Sequence, residues 1–102
     1  MHILVVDDDQ AVRDSLARSL QYSGYEVTAA GDGLEALARL SALRPDAVIM
    51  DVMMPRLDGY QTCALIKNNQ TFKTVPVIML SSKDGLFDKA RGRIVGSEQY
   101  LT

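Results

Sequence analysis

The sequence predicts an α/β fold, a doubly wound parallel five-stranded sheet with helices packed on its faces. Three observations carry this expectation. Short apolar runs rich in β-branched residues recur, as Ile3-Leu4-Val5-Val6, Val48-Ile49-Met50 and Val77-Ile78-Met79-Leu80. Segments with helical spacing of apolar residues separate them. Each run then releases polar side chains at the same end: Asp7, Asp8 and Asp9, then Asp51, then Ser81 and Ser82. Strand–helix alternation repeated four times and finished by a strand is the pattern of a parallel sheet. Right-handed crossovers place every strand's carboxyl end at one edge, where such sheets bind ligands.

Each element has a local reason. Residues 2–6 are continuously apolar after the first positions, as in a strand buried on both faces. Asp9 is suited to cap the next helix, in which Val12, Leu16 and Leu20 form one stripe and which Gly24 stops. Residues 24–30 read as a second strand. Asp32-Gly33 turns the chain into a second helix with Leu34, Leu37, Ala38 and Leu40 on its buried side, closed by Arg44-Pro45. Residues 46–50 form the central strand, and Asp51 begins the loop beyond it, which Pro55 rigidifies.

A third helix runs from Gly59 to Asn68 and turns Cys63, Ile66 and either Tyr60 or Thr62 toward the sheet. Gly59 would permit a close approach of that helix, in a backbone shape other residues avoid. Residues 68–71 are a polar link. Residues 75–80 form a strand with Pro76 near its start, where a lost donor costs least. A short, weak helix over 87–92 and a last strand over 97–102 complete the pattern. No helix follows to cover that last strand, and a parallel sheet needs both faces covered. A partner molecule, an exchanged segment or a truncation would each account for it.

Composition narrows the function. The chain has 102 residues, 47 % of them apolar, which suits one packed domain. Its formal charge of -2 offers no general attraction to nucleic acid, and no recognition helix or basic patch is evident. A nucleotide site is disfavoured because three acids, not a glycine-rich loop, follow the first strand. The single cysteine, Cys63, has no partner for an internal disulfide and reads as packing in a reduced, cytosolic chain. No apolar run approaches the ~20 residues that span a bilayer.

The acidic cluster carries the chemistry. Asp7, Asp8 and Asp51 leave two strands that are neighbours in this topology. Carboxylates brought together repel, and burial raises the cost, so a cation must balance them. Oxygen-only ligands suit Mg²⁺ or Mn²⁺. Beside such an ion, Asp51 can attack phosphorus and form an acyl phosphate. Ser81, leaving the strand on the other side of Asp51, could donate a hydroxyl to a phosphoryl oxygen. Asp9 and Ser82 are better read as caps or turn residues.

With these residues in place, the chain resembles the receiver domain of bacterial two-component response regulators over its whole length. The marks are Ile3-Leu4-Val5-Val6-Asp7-Asp8-Asp9, Asp51-Val52-Met53-Met54-Pro55, Leu57-Asp58-Gly59, Pro76-Val77-Ile78-Met79-Leu80-Ser81-Ser82 and Gly96-Ser97-Glu98-Gln99-Tyr100-Leu101-Thr102. The resemblance implies a flavodoxin-like sheet of strand order 2-1-3-4-5. It implies that Asp51 accepts a phosphoryl group from a sensor histidine kinase or phosphotransfer protein. Asp8 and Asp51 would ligate Mg²⁺ directly, with the Met53 carbonyl, and Asp7 largely through water. Ser81 and Tyr100 would form the coupled hydroxyl and aromatic switch that changes affinity for a motility or other output protein.

The family pattern continues past Thr102 with a lysine, a proline and a fifth helix, so residues 1–102 correspond to a receiver domain truncated before them. Lys83 is a substitute cation by loop proximity only. The uncovered last strand would favour self-association. Residues 56–102 lean toward receivers of type IV pilus twitching motility, and the first half toward receivers joined to winged-helix transcription factors, as in a chimera.

Two other readings remain. A haloacid-dehalogenase-like phosphotransferase would use Asp7 as nucleophile and Asp9 as general acid, but expects a cap insertion and more chain. A receiver-like interaction scaffold would keep the fold without the switch.

Overall fold

The computed structural model describes residues 1–80. Four parallel strands form one sheet in the order β2-β1-β3-β4. They are β1 (His2–Val6), β2 (Glu26–Ala30), β3 (Ala47–Asp51) and β4 (Val77–Leu80). Helices α1 (Gln10–Tyr22), α2 (Gly33–Leu43) and α3 (Gly59–Lys67) supply the crossovers. The flavodoxin-like order therefore holds as 2-1-3-4. The expected helix over 87–92 and the fifth strand over 97–102 lie outside the described residues.

Register places the strand ends together. Val6 lies beside Met50 across β1 and β3, and Asp51 lies beside Leu80 across β3 and β4. Asp51 is thus the last residue of its strand, not the first of the loop. Val52 N–H donates to the Leu80 carbonyl at 3.0 Å and carries pairing one residue further. Four other boundaries shift: β3 starts at Ala47 and not at residue 46, α3 ends at Lys67 with Asn68 as its cap, and the remaining two have a visible cause. Gly24 adopts a positive φ of 98° as the turn after α1, so β2 starts at Glu26 and not at residue 24. Pro76 lacks a donor, and β4 starts only after it, at Val77.

Alternation within the strands divides the apolar side chains between two faces. Leu4, Val6, Val48, Met50, Val77 and Met79 point into a fully buried cluster with Ala36 and Leu40 of α2 and Cys63 and Ile66 of α3. On the other face, Ile49 and Ile78 are only half-buried. There α1 contributes Val12, Leu16 and Leu20 at the predicted spacing, each half-buried, and no α1 residue is fully buried.

Asp9 caps α1 as expected, and Asp58 caps α3. Asp9 accepts from the N–H groups of Ala11 (2.9 Å) and Val12 (3.3 Å). Asp58 accepts from Gln61 N–H at 2.8 Å, and the Gln61 side chain returns the bond to Asp58 N–H at 2.9 Å, a capping box.

The buried side of α2 differs from the expectation. It consists of Gly33, Ala36 and Leu40, with Leu37 half-buried; Leu34 is 52 % exposed and Ala38 also faces outward. The cause is at the helix start. A β-carbon at Gly33 would run into the Thr62 hydroxyl of α3, so this close backbone approach sets the rotation of the whole helix. The alternative left open for α3 resolves in favour of Thr62, which is fully buried, whereas Tyr60 is 48 % exposed. Phe72, inside the link between α3 and β4, is also buried in the core. No helix among the described residues is long and apolar enough to cross a membrane.

Candidate functional site

The carboxylates of Asp7, Asp8 and Asp51 meet at the carboxyl edge of the sheet. One ligand oxygen from each lies within 4.8 Å of the other two. Asp7 and Asp51 are 2 % and 1 % exposed, while Asp8 faces solvent. The cause is topological. β1 and β3 are adjacent and parallel, so the residues after Val6 and after Met50 emerge side by side.

Backbone contacts hold two of the acids in place. Asp9 N–H donates to Asp7 Oδ1 at 2.9 Å, in a turn that also starts α1. Met53 N–H donates to Asp51 Oδ1 at 3.3 Å. Arg13, one turn into α1, donates from Nη1 to the Asp7 carbonyl at 2.8 Å and brings a positive charge to the rim. The sequence reading passed over Arg13; its signal is its place on the first turn after the acids, where a long side chain can fold back to the strand end.

The loop after β3 is closed tightly. Gly59 N–H donates to the Val52 carbonyl at 2.9 Å. A β-carbon at Gly59 would overlap the Asp51 carbonyl oxygen and stand 2.9 Å from Val52 Cα. Close approach is therefore the reason for this glycine, as expected. The special backbone shape is not: among the described residues, positive φ is confined to Gly24, Arg44 and Arg56. Met54 is buried and anchors the loop from inside, while the Pro55 side is exposed.

The arrangement suits a small, hard cation. Oxygen ligands on one octahedral Mg²⁺ stand about 3 Å apart when adjacent and about 4 Å when opposite, so three carboxylate oxygens spread over 4.8 Å need only close slightly. Donors that are all oxygen, and all anionic, match Mg²⁺ or Mn²⁺ and not a soft metal. Asp9 does not join the cluster, because its carboxylate caps α1. That removes the general acid from the haloacid-dehalogenase-like reading. Met53 exposes its side chain and contributes its backbone at the rim. Ser81, Ser82, Lys83 and Tyr100 lie outside the described residues.

Cys63 is buried in the α2–α3 side of the core. Burial pushes its thiol pKa up, and the nearby Lys67 ammonium only partly counters this. A thiol held in that way is a weak nucleophile at neutral pH, so the residue packs.

Comparison with known proteins agrees with this geometry. The profile of the response regulator receiver domain matches residues 3–102. Protein PilG of Pseudomonas aeruginosa is 58 % identical over 102 residues, covering all of this chain and 76 % of PilG. Response regulator MprA of Mycobacterium avium is 46 % identical over 101 residues, 99 % of this chain but 43 % of MprA. The chain thus spans less than half of that relative. Both alignments run through nearly the whole chain, and together they fit the dual resemblance read from the sequence. The crystal structure of response regulator protein TrrA from Thermotoga maritima, in complex with Mg²⁺ and BeF, superposes with a TM-score of 0.75 at 33 % identity, over 86 % of this chain and 75 % of TrrA. Fold, acidic edge and sequence agree, and this chain belongs to the response regulator receiver domain family.

Proposed function

We propose that this chain is a phosphoacceptor signalling domain. Asp51 takes a phosphoryl group from the phosphohistidine of a sensor histidine kinase or phosphotransfer protein, in a Mg²⁺-dependent reaction, and the modified domain changes its affinity for a motility or other output protein. The observation that supports this most is the meeting of Asp7, Asp8 and Asp51 within 4.8 Å, two of them buried. Buried acids brought together cost stability unless a cation is used there.

Asp8, Asp51 and the Met53 carbonyl would hold Mg²⁺, with Asp7 acting through water and Mn²⁺ as a substitute. When bound, the ion would neutralise charge on the phosphoryl oxygens. The chain's own part is positioning. Burial and the Met53 N–H fix Asp51 so that one carboxylate oxygen can face an incoming phosphorus. An O–P bond forms as the N–P bond of the donor breaks. The bonding pair stays on the departing imidazole, which carries its proton on the other nitrogen. Arg13 brings positive charge to the rim.

Ser81 would donate its hydroxyl to a phosphoryl oxygen, and Tyr100 would follow it as the aromatic switch. Residues 1–102 act as one receiver domain in a cytoplasmic setting. The domain turns over its own acyl phosphate at most and is no metabolic enzyme.

The test is beryllofluoride binding and acyl-phosphate labelling with Mg²⁺, followed by peptide mapping. Label on Asp51, and none after Asp51→Asn in a folded protein, is the expected result. Label on Asp7, or label retained by Asp51→Asn, overturns the reading. Mg²⁺ binding without any label would instead favour a non-switching scaffold.

A further inference from the structure

The loop behind Asp51 contains a strained turn held from outside. Leu57 N–H donates to the Pro55 carbonyl at 2.7 Å, an i to i+2 bond, and the residue between them, Arg56, has φ of 64°. That combination is the γ-turn with positive φ, which is rare and strained for a residue other than glycine. Glycine would adopt it at lower cost. A long cation at such a position needs a reason.

The reason lies across the surface on α2. Arg56 Nη2 reaches Asp32 Oδ2 at 2.6 Å. Asp32 is the N-cap of α2, and its other oxygen accepts from Glu35 N–H at 2.7 Å. The same helix start also touches the loop through its backbone, since a β-carbon at Gly33 would stand 3.1 Å from the Leu57 carbonyl. The loop is therefore fixed at three places: Met54 in the core, the Val52–Gly59 hydrogen bond at its neck, and the Arg56–Asp32 pair at its tip. Only the last is exposed and charged, and it acts on the turn that follows Met53.

We propose that Arg56 is a positioning residue for the cation site: its ion pair with Asp32 holds the strained turn, and with it the Met53 backbone, in the arrangement that ligation requires. This rests on the phosphoacceptor reading, because Met53 matters only if a cation binds beside Asp51. Arg56 touches neither the ion nor the phosphoryl group. It acts by keeping the loop docked on α2.

The test is calorimetric titration of the full chain with Mg²⁺ for wild type, Arg56→Asn, Asp32→Asn, the double variant and Arg56→Lys. Asparagine carries no charge at residue 56 and caps helices at residue 32, so each single variant removes the ion pair and the Asp32 variant keeps the cap. Each should weaken Mg²⁺ binding roughly two- to fivefold, the range of an exposed ion pair. The double variant should be no weaker than either single one, and Arg56→Lys should recover most of the loss.

The signs discriminate against simple charge effects. Removing a cation near a Mg²⁺ site by Coulomb's law alone tightens binding, and removing an anion loosens it. Positioning requires both variants to loosen it. In ~1 M KCl, where the screening length falls to about 3 Å, wild type and variants should converge. Opposite signs, unchanged affinities, or additive losses in the double variant overturn the inference while leaving the phosphoacceptor reading intact. A folded wild type indifferent to Mg²⁺ overturns that reading, and the inference falls with it.

Discussion

Asp8 shows how one side chain can work against stability and for function. It is the exposed member of a cluster whose other two acids are buried, so its charge repels theirs whenever no cation is present. Asp8→Asn is therefore expected to stabilise the fold in chelator by on the order of 1 kcal/mol, read as a higher melting temperature, and to weaken Mg²⁺ binding about tenfold or more. Thermal melts with and without Mg²⁺ check both signs in one experiment. Glu35 makes the opposite kind of contribution. Its carboxylate accepts from Gly31 N–H at 2.8 Å and pairs with Arg39, so its pKa lies below the ordinary 4.5, the backbone bond being the larger cause. A lowered carboxylate pKa stabilises the fold above the unfolded-state value and loses that contribution as pH falls through the folded one. Glu35→Gln should thus reduce stability at neutral pH by a small amount and make no difference once both forms are protonated, well below pH 4.5. A difference that persists in acid would refute the ionic account.

At the scale of elements, glycines and caps decide how the helices dock. Gly59 lets the start of α3 lie directly on the end of β3, and Gly33 lets the start of α2 lie on α3. Gly59→Ala would push the helix away from the Asp51 carbonyl, with an expected loss of about 1–3 kcal/mol and weaker Mg²⁺ binding. Urea unfolding with a parallel titration would measure both. Arg44 ends α2 with φ of 48°, a left-handed cap made by a residue other than glycine, while its N–H still donates to Leu40 at 2.9 Å. Arg44→Gly should stabilise by about 1 kcal/mol, since glycine takes that conformation without a β-carbon clash. Destabilisation would mean that the Arg44 side chain contributes more than its backbone costs. The sequence made the Asp9 cap readable, because that residue directly precedes a helical pattern; Asp32 reads only as a turn, and Asp58 receives no capping role there. It did not make the α2 rotation readable. Leu34 and Ala38 look like core residues by spacing, but the contact of Gly33 with Thr62 turns them outward.

At the scale of the whole molecule, the sheet is unevenly covered. The face toward α2 and α3 holds the buried cluster; the face toward α1 leaves Ile49 and Ile78 half-buried. Met50→Ala should consequently cost about 2–5 kcal/mol, the range for a fully buried side chain, and Ile49→Ala distinctly less. Equal losses in denaturant unfolding would contradict the asymmetry. Within residues 1–80, local pattern was enough to set the strands, the helices, the Asp9 cap and the edge to which three acids are delivered, because apolar runs and capping residues act over a few neighbours. Contacts distant in sequence decided the rest: the rotation of α2 set by Gly33 and Thr62, Phe72 following the polar link buried in the core, and the left-handed Arg56 reaching Asp32. No window of neighbouring residues contains both halves of such a contact, so only the folded chain could choose among them.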